Sequence, residues 1–411
     1  LPSDLAKAAS KGSGPRPTRL SDRSLIGPRV ESSPIAPATG GIRAPADRAP
    51  NELETDMTET RTLLIVGGHG VAGGGILRAA KADAGVRPVT VSRRSAPGES
   101  GGLDSGHIAA DLLDGAAIRE AVAQLDGPVD VAFAAYAEHA DANEATRINL
   151  AMLRNLLDAL DAAKTSIGSV VLVTGAKAYG PHLGPYKTPA KESDPRVIGP
   201  LFYYDQVDAL REWADRHGVG WTELRPDGII GHSVGSPMNL LHGMAAYGTI
   251  SAELGLPLRF PGHPDTWSRV LHQLTDSDML GRSVVWATRS DAAHNEAFNV
   301  TNGDYFRWAH LWPELAKFFD VEADVPKPIP LATQMAGYGK LWKDIGKRHK
   351  LRSTTWEAFV SWGFVEAVWN IDYDLVQSTV KIRQAGFQDS VDTHASIIGH
   401  LGRLREASFI P

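Results

Sequence analysis

Beyond residue 60 the chain alternates between short apolar runs and longer amphipathic ones. Strand-like runs fall at 63–66, 89–92, 107–110, 129–135, 170–174 and 222–224, and helical patterns lie between most of them, as at 116–125 and 145–163. In the second of these, Leu150, Leu153, Leu156, Leu157 and Leu160 mark one face at helical spacing. Such alternation predicts an α/β fold, a doubly wound parallel sheet with helices on both faces. After Gly231 the alternation gives way to segments richer in Trp, Met and Phe. The expected organisation is a nucleotide-binding domain over 57–231, with 280–310 rejoining its sheet, and a smaller, mostly helical substrate lobe from 232–279 and 311–411. Trp267, Trp342, Trp356, Trp362 and Trp369 either line an apolar pocket in that lobe or form its core.

Residues 1–56 carry none of this patterning. They are rich in Pro, Ser, Ala and Arg and contain no Phe, Trp or Tyr, so they cannot bury enough apolar surface to offset the entropy of ordering. With Leu1 in first place and Met57 reading as a natural start, this stretch is expected to be an appended or upstream segment, or a disordered tail. A transit peptide is the alternative, and Asp4, Asp22, Glu31 and Asp47 weigh against it.

Composition narrows the function classes. A chain of 411 residues, 43% hydrophobic and 22% charged, has ample length for a buried core. A net charge of −6 argues against a general nucleic-acid binder. No apolar run approaches the ~18 residues that a membrane span needs. The absence of cysteine removes disulfides, thiolate metal sites and a cysteine nucleophile, and fits a cytoplasmic home. The 14 histidines form no H-E-x-x-H, and no G-x-S-x-G is present. His232 and His310 read as structural residues, and no metal is expected.

The first apolar run passes directly into Gly67-Gly-His-Gly70-Val71-Ala72-Gly73, the glycine pattern of a strand–turn–helix that carries a dinucleotide. Gly67 permits the tight turn, Gly70 lets backbone approach a pyrophosphate, and Gly73 lets the helix pack closely. The helix N-terminus then presents N–H groups and partial positive charge to phosphate. This makes the predicted sheet Rossmann-type. About 20 positions on, where an NAD site carries an acid, the chain reads Ser92-Arg93-Arg94. Two guanidiniums and a hydroxyl suit a 2′-phosphate, which favours NADPH; the competing interpretation is a solvated basic turn. Asp111 and Leu112, ending the third strand, are placed to meet adenine or simply to cap the strand.

Lys177 follows the fifth strand's carboxyl end, where ligands lie in open α/β sheets, and is either catalytic or merely exposed. Tyr203 shares helical spacing with Val207, Leu210 and Ala214 and leans inward, as a core aromatic or a catalytic one. The usual dehydrogenase lysine four residues after the tyrosine is absent, since Val207 and Asp208 hold the positions after Tyr203 and Tyr204.

Thr174-Gly-Ala-Lys-Ala-Tyr-Gly-Pro181 and Phe202-Tyr-Tyr-Asp-Gln-Val-Asp208 together resemble the lysine and tyrosine motifs of the progesterone 5β-reductase/iridoid synthase-like enone reductases, an atypical branch of the extended short-chain dehydrogenase/reductases. Ser92–Arg94, 224–231, 258–260, 295–304 and 308–312 match as well, and the resemblance runs from about Leu63 to the C-terminus. Leu201, Val207 and Ala178 replace the family's Asn, Glu and His, and the segment between Lys177 and Tyr203 is shorter than in plant members. These departures bear on the substrate more than on the chemistry.

The resemblance implies Tyr203 and Lys177 as the catalytic pair, with Tyr204 packing or orienting beside them. Ala135, Tyr136, Thr174, Pro226 and Ile229, at carboxyl ends of strands, complete the expected cofactor-binding set. The implied reaction is 1,4-addition of hydride from NADPH to an enone or enal. Tyr203 would donate to the carbonyl oxygen, and Lys177 would lower the phenol's pKa and hold the nicotinamide ribose. A carbonyl reductase using the same pair is one alternative and a non-catalytic NADP(H)-sensing regulator another. A homodimer is a possible assembly.

Overall fold

Seven parallel strands form the central sheet: β1 (Arg61–Val66), β2 (Val86–Ser92), β3 (His107–Ala109), β4 (Val129–Phe133), β5 (Ile167–Val173), β6 (Gly220–Pro226) and the late strand Glu296–Val300. They come from a computed structural model that describes residues 60–93, 106–233, 236–352 and 355–411. The segment 1–56 and Arg94, for which the sequence raised expectations, lie outside the described residues. Across the sheet the order is Glu296–Val300, β6, β5, β4, β1, β2, β3. The order reverses beside β1, between β1 and β4, and in an open α/β sheet the crevice outside the strand ends at that point is where ligands bind.

Period-two alternation decides which side chains face which layer. In β1, Leu64 and Val66 join the core under one face, while Leu63 and Ile65 join the core under the other. On the first face lie α2 (Gly115–Val122), α3 (Ala142–Ala163) and α4 (Phe202–His217), with Leu153, Leu156, Leu157, Leu160, Leu210 and Trp213 buried. On the second lie α1 (Val71–Ala82) and the helix Ser277–Ala287. Asp114 and Asp141 start α2 and α3 by accepting backbone N–H bonds from Ala116 and Ala117 and from Glu144.

A third core gathers segments between Ile230 and Ile410 around Phe260, Trp308, Trp312 and Trp369. Trp342, Trp356, Trp362 and Trp369 are all buried there, and Trp267 packs against them half-buried. These rings fill that core. Asp276 caps the helix Ser277–Ala287 and also accepts a bond from Ser396 Oγ (2.6 Å), while His400 Nε2 lies 3.0 Å away. Asp278 pairs with Arg78 and Arg403. This group ties the C-terminal helix Thr393–Glu406 to the sheet's helical layer. No helix among the described residues is long and apolar enough to cross a membrane.

Candidate active site

At the β1–α1 end of the cleft the backbone itself makes the surface. Gly67 has φ +89, and a Cβ there would lie 2.9 Å from Ala134 O and Ala135 N. A Cβ on Gly73 would lie 2.2 Å from Gly67 O, so the helix can sit on the turn only with glycine at that position. Gly70 N–H donates to Gly67 O (2.9 Å), and the first intrahelical bond runs from Gly74 N–H to Gly70 O. The N–H groups of Val71, Ala72 and Gly73 precede that bond and belong to the helix's first turn. A Cβ on Gly70 would meet nothing nearer than Gly67 O at 3.4 Å, so the space beside its backbone is open.

Beside this turn, Ser92 Oγ lies 2.9 Å from His69 Nδ1, and the His69 ring stacks on that of His107 at 4.6 Å. His69 was not singled out by sequence; its position inside the glycine turn was the only signal. Arg93 is exposed at the end of β2. Asp111 Oδ1 accepts from Leu113 N–H (3.0 Å), and the Leu112 side chain is buried in the core. Asp111 thus caps the strand end with one carboxyl oxygen while its side chain stays exposed.

The other end of the cleft is built from side chains. Tyr203, in the first turn of α4, brings its hydroxyl to the end of β5, 3.0 Å from where a Cβ on Gly175 would stand; Pro226 O lies 3.4 Å from that same point. A side chain at position 175 would displace the phenol. Tyr136, just beyond β4, stacks on Phe202 (5.4 Å), which meets Tyr203 edge-on (4.5 Å). Ala135 is half-buried beside it, and Ile229 pairs with Thr275 just past β6. Asn149, fully buried on α3, holds the loop after β4 by bonds to both Ala137 N–H and Ala137 O (2.9 and 2.7 Å). It too escaped the sequence reading, hidden in a leucine-rich stripe.

Thr174 Oγ1 donates to buried Glu223 (2.8 Å), which pairs with Arg225 (2.8 Å). Arg225 donates to Tyr179 Oη (3.0 Å), and Tyr179 donates to Asn299 (2.5 Å). The network holds the turn after β5 from below. From the side, Tyr204 Oη donates to Ala178 O (2.8 Å) and accepts from Val197 N–H (3.0 Å). Lys177 lies in that turn, two residues past Gly175, with its side chain exposed.

The expectation that Lys177 lowers the Tyr203 pKa is corrected. Removal from water pushes the Tyr203 phenol well above its ordinary value, and Tyr136 and Glu223 push the same way. The lysine's charge is felt instead at His182, whose pKa is lowered first by burial and then by Lys177. His232 is structural, its Nδ1 3.1 Å from His242 Nε2, and burial holds it neutral, down to about 4.

The glycine turn and the strand order, with its reversal beside β1, define a Rossmann-type fold. The chain belongs to the PRISE-like Rossmann-fold domain family, whose sequence model matches residues 102–411. It is similar to the (S)-8-oxocitronellyl enol synthase CYC2 of Camptotheca acuminata, 30% identical over 332 residues that span 78% of this chain and 85% of that one. It is also similar to the 3-oxo-Delta(4,5)-steroid 5-beta-reductase of Arabidopsis thaliana, at 28% identity over 90% of this chain and 98% of that one. Among solved structures, the UDP-glucose 4-epimerase of Thermus thermophilus, in complex with NAD, superimposes with a TM-score of 0.56 at 15% identity, covering 83% of this chain and 99% of that one. That last likeness concerns the fold alone.

Proposed function

We propose that the protein is an NADPH-dependent oxidoreductase that reduces the activated C=C bond of an enone or enal. The observation that carries this reading is the half-buried Tyr203, whose hydroxyl sits at the strand ends beside Gly175 and Pro226 O and whose phenol pKa is raised by removal from water. When bound, the dinucleotide supplies hydride to the β-carbon. The Tyr203 phenol then donates a hydrogen bond to the carbonyl oxygen as negative charge builds there, a preorganised dipole of the kind that lowers such barriers. A phenol that resists ionisation is suited to keep its proton through that step. A carbonyl reduction would require it to give the proton up.

The chain's groups fit the nucleotide. The first turn of α1 takes the pyrophosphate, and Arg93 with Ser92 at the end of β2 takes a 2′-phosphate. Thr174, Pro226 and Ile229 border the nicotinamide, and Lys177, from the turn after Gly175, is assigned to the ribose hydroxyls. The names carried by the two plant relatives, an enol synthase and a steroid reductase, support an unsaturated carbonyl substrate.

The test is product analysis after NADPH oxidation with a small enal. This reading expects saturated aldehyde. Allylic alcohol would assign the same site to carbonyl reduction, and tight NADPH binding with no oxidation by any enal or enone would leave a nucleotide sensor.

A further inference from the structure

Two imidazoles stand where the glycine turn meets the end of β2, and neither has a part in the mechanism above. Thr90 and Ser92 are two apart on β2 and face the same side of the sheet. Each holds one ring: Thr90 Oγ1 lies 2.7 Å from His107 Nδ1, and Ser92 Oγ lies 2.9 Å from His69 Nδ1. His107 is buried on β3, in register with Thr90. His69 comes from the glycine turn and is half-buried. The two rings stack with centroids 4.6 Å apart and planes at 26°. Gly68 lets the turn come this close, since a Cβ there would lie 2.6 Å from Thr90 Cγ2. The His69 ring is therefore fixed on its face by His107 and at its edge by Ser92.

We propose that His69 is a ligand of the cofactor's 2′-phosphate and so sets the preference for NADPH over NADH. The inference rests on the NADPH part of the functional reading and deepens it. In a dinucleotide site of this fold, the residue at the end of the second strand meets the adenine ribose at its 2′ position. Ser92 holds that place, and an anion that meets its hydroxyl lies within reach of a ring 2.9 Å from that hydroxyl. The 2′-hydroxyl of NADH offers one uncharged oxygen. The phosphate offers three acceptor oxygens and about two negative charges, enough for Ser92, Arg93 and His69 together. With Nδ1 bonded to Ser92, Nε2–H is the donor that His69 turns to phosphate.

The surroundings suit an anion. Arg93, next after Ser92, is exposed. No acid ends β2, where a carboxylate would repel phosphate. Past the end of β3, Asp111 turns one carboxyl oxygen back to Leu113 N–H. A merely structural His69 would brace the glycine turn and so act on both cofactors alike, because the pyrophosphate and the adenosine are common to them. A phosphate ligand acts on one cofactor alone. That difference separates the two roles without any measurement of turnover.

The experiment titrates the parent protein, His69→Ala and His69→Phe by calorimetry with 2′,5′-ADP and with 5′-AMP, which differ only in the 2′-phosphate. The phenylalanine keeps a ring to stack on His107 and removes both nitrogens. The parent should bind 2′,5′-ADP the more tightly. Both variants should weaken 2′,5′-ADP by roughly tenfold or more, the loss of one hydrogen bond to a charged group, and should bind 5′-AMP as the parent does, which also shows that the turn is folded. In a Ser92→Ala background His69→Phe should still weaken 2′,5′-ADP. No further loss there means that His69 acts only through Ser92 and overturns the direct contact. Equal losses of the two nucleotides, or no loss of either, overturn the proposal alone. A parent that binds the two nucleotides equally overturns the NADPH reading and this proposal with it, while the enone reading stands or falls on product analysis.

Discussion

At the β1–α1 end of the cleft the decisive contacts run from backbone to backbone: Gly67 against Ala134 and Ala135, and Gly73 against Gly67. At the β5–β6 end they run from side chain to side chain: Thr174, Glu223, Arg225, Tyr179 and Asn299 in one chain, and Tyr204 bonded to Ala178. In the proposed function the first end is a surface for a ligand whose shape does not vary. The second holds a phenol, a lysine-bearing turn and a carboxyl at fixed positions, and its chemistry depends on how far water is excluded. Changes at the first end should therefore alter nucleotide affinity, and changes at the second should alter rate.

The largest expected effect is at the second end. Tyr203→Phe should leave NADPH affinity unchanged and lower turnover by ~10²–10⁴-fold, the range for removal of a positioned donor. Steady-state rates with fluorescence titration of NADPH would check it. Next, Glu223→Ala leaves Arg225 buried without its partner and should cost ~3–5 kcal/mol of stability, read by denaturant unfolding. At the nucleotide end, Gly73→Ala forces a methyl into Gly67 O and should cost ~1–3 kcal/mol, with NADPH affinity falling alongside. Smaller again, Arg93→Ala should weaken NADPH by about tenfold, since one charge-assisted bond is worth ~1.5–3 kcal/mol, and leave NADH nearly unchanged. Equal losses for the two cofactors would mean Arg93 does not meet a 2′-phosphate.

The two ends also predict different responses to acid. Burial holds His232 down to about 4 and His242 and His272 to about 3, and all three lie beyond the nucleotide turn, toward the lobe. Each is neutral in the fold but takes up a proton near ~6.5 in the unfolded chain. The unfolded state therefore binds more protons below that pH, and stability should fall progressively between about pH 6.5 and 4. Melting temperature against pH would show it, and His242→Phe should flatten the slope.

What could be read from sequence follows from how local each signal is. The strand runs at 63–66 and 129–135 and the leucine stripe of α3 are set by neighbours a few residues apart, and each lies where the pattern placed it to within a few residues. The roles expected of Gly67 and Gly73 rest on the chain's own turn geometry, which the pattern carries. The convergence of Tyr203, Gly175 and Pro226 depends on strand order instead. Glu223 and Arg225 are two apart on a strand and read as an edge rather than a buried pair. Five tryptophans say that a core exists and not whether it is hollow, since that is decided by packing between segments far apart in the chain. The phenol's raised pKa could not be seen for the same reason: the charge of Lys177 is visible in the motif, while water exclusion belongs to the assembled site.

The most direct test is a crystal structure with NADP⁺ and an unreacted enone bound together. The account predicts the enone oxygen within about 3.2 Å of Tyr203 Oη, its β-carbon against the nicotinamide, and the nicotinamide over Gly175 and Pro226. An enone oxygen turned away from Tyr203, or a nicotinamide bound elsewhere, would contradict it.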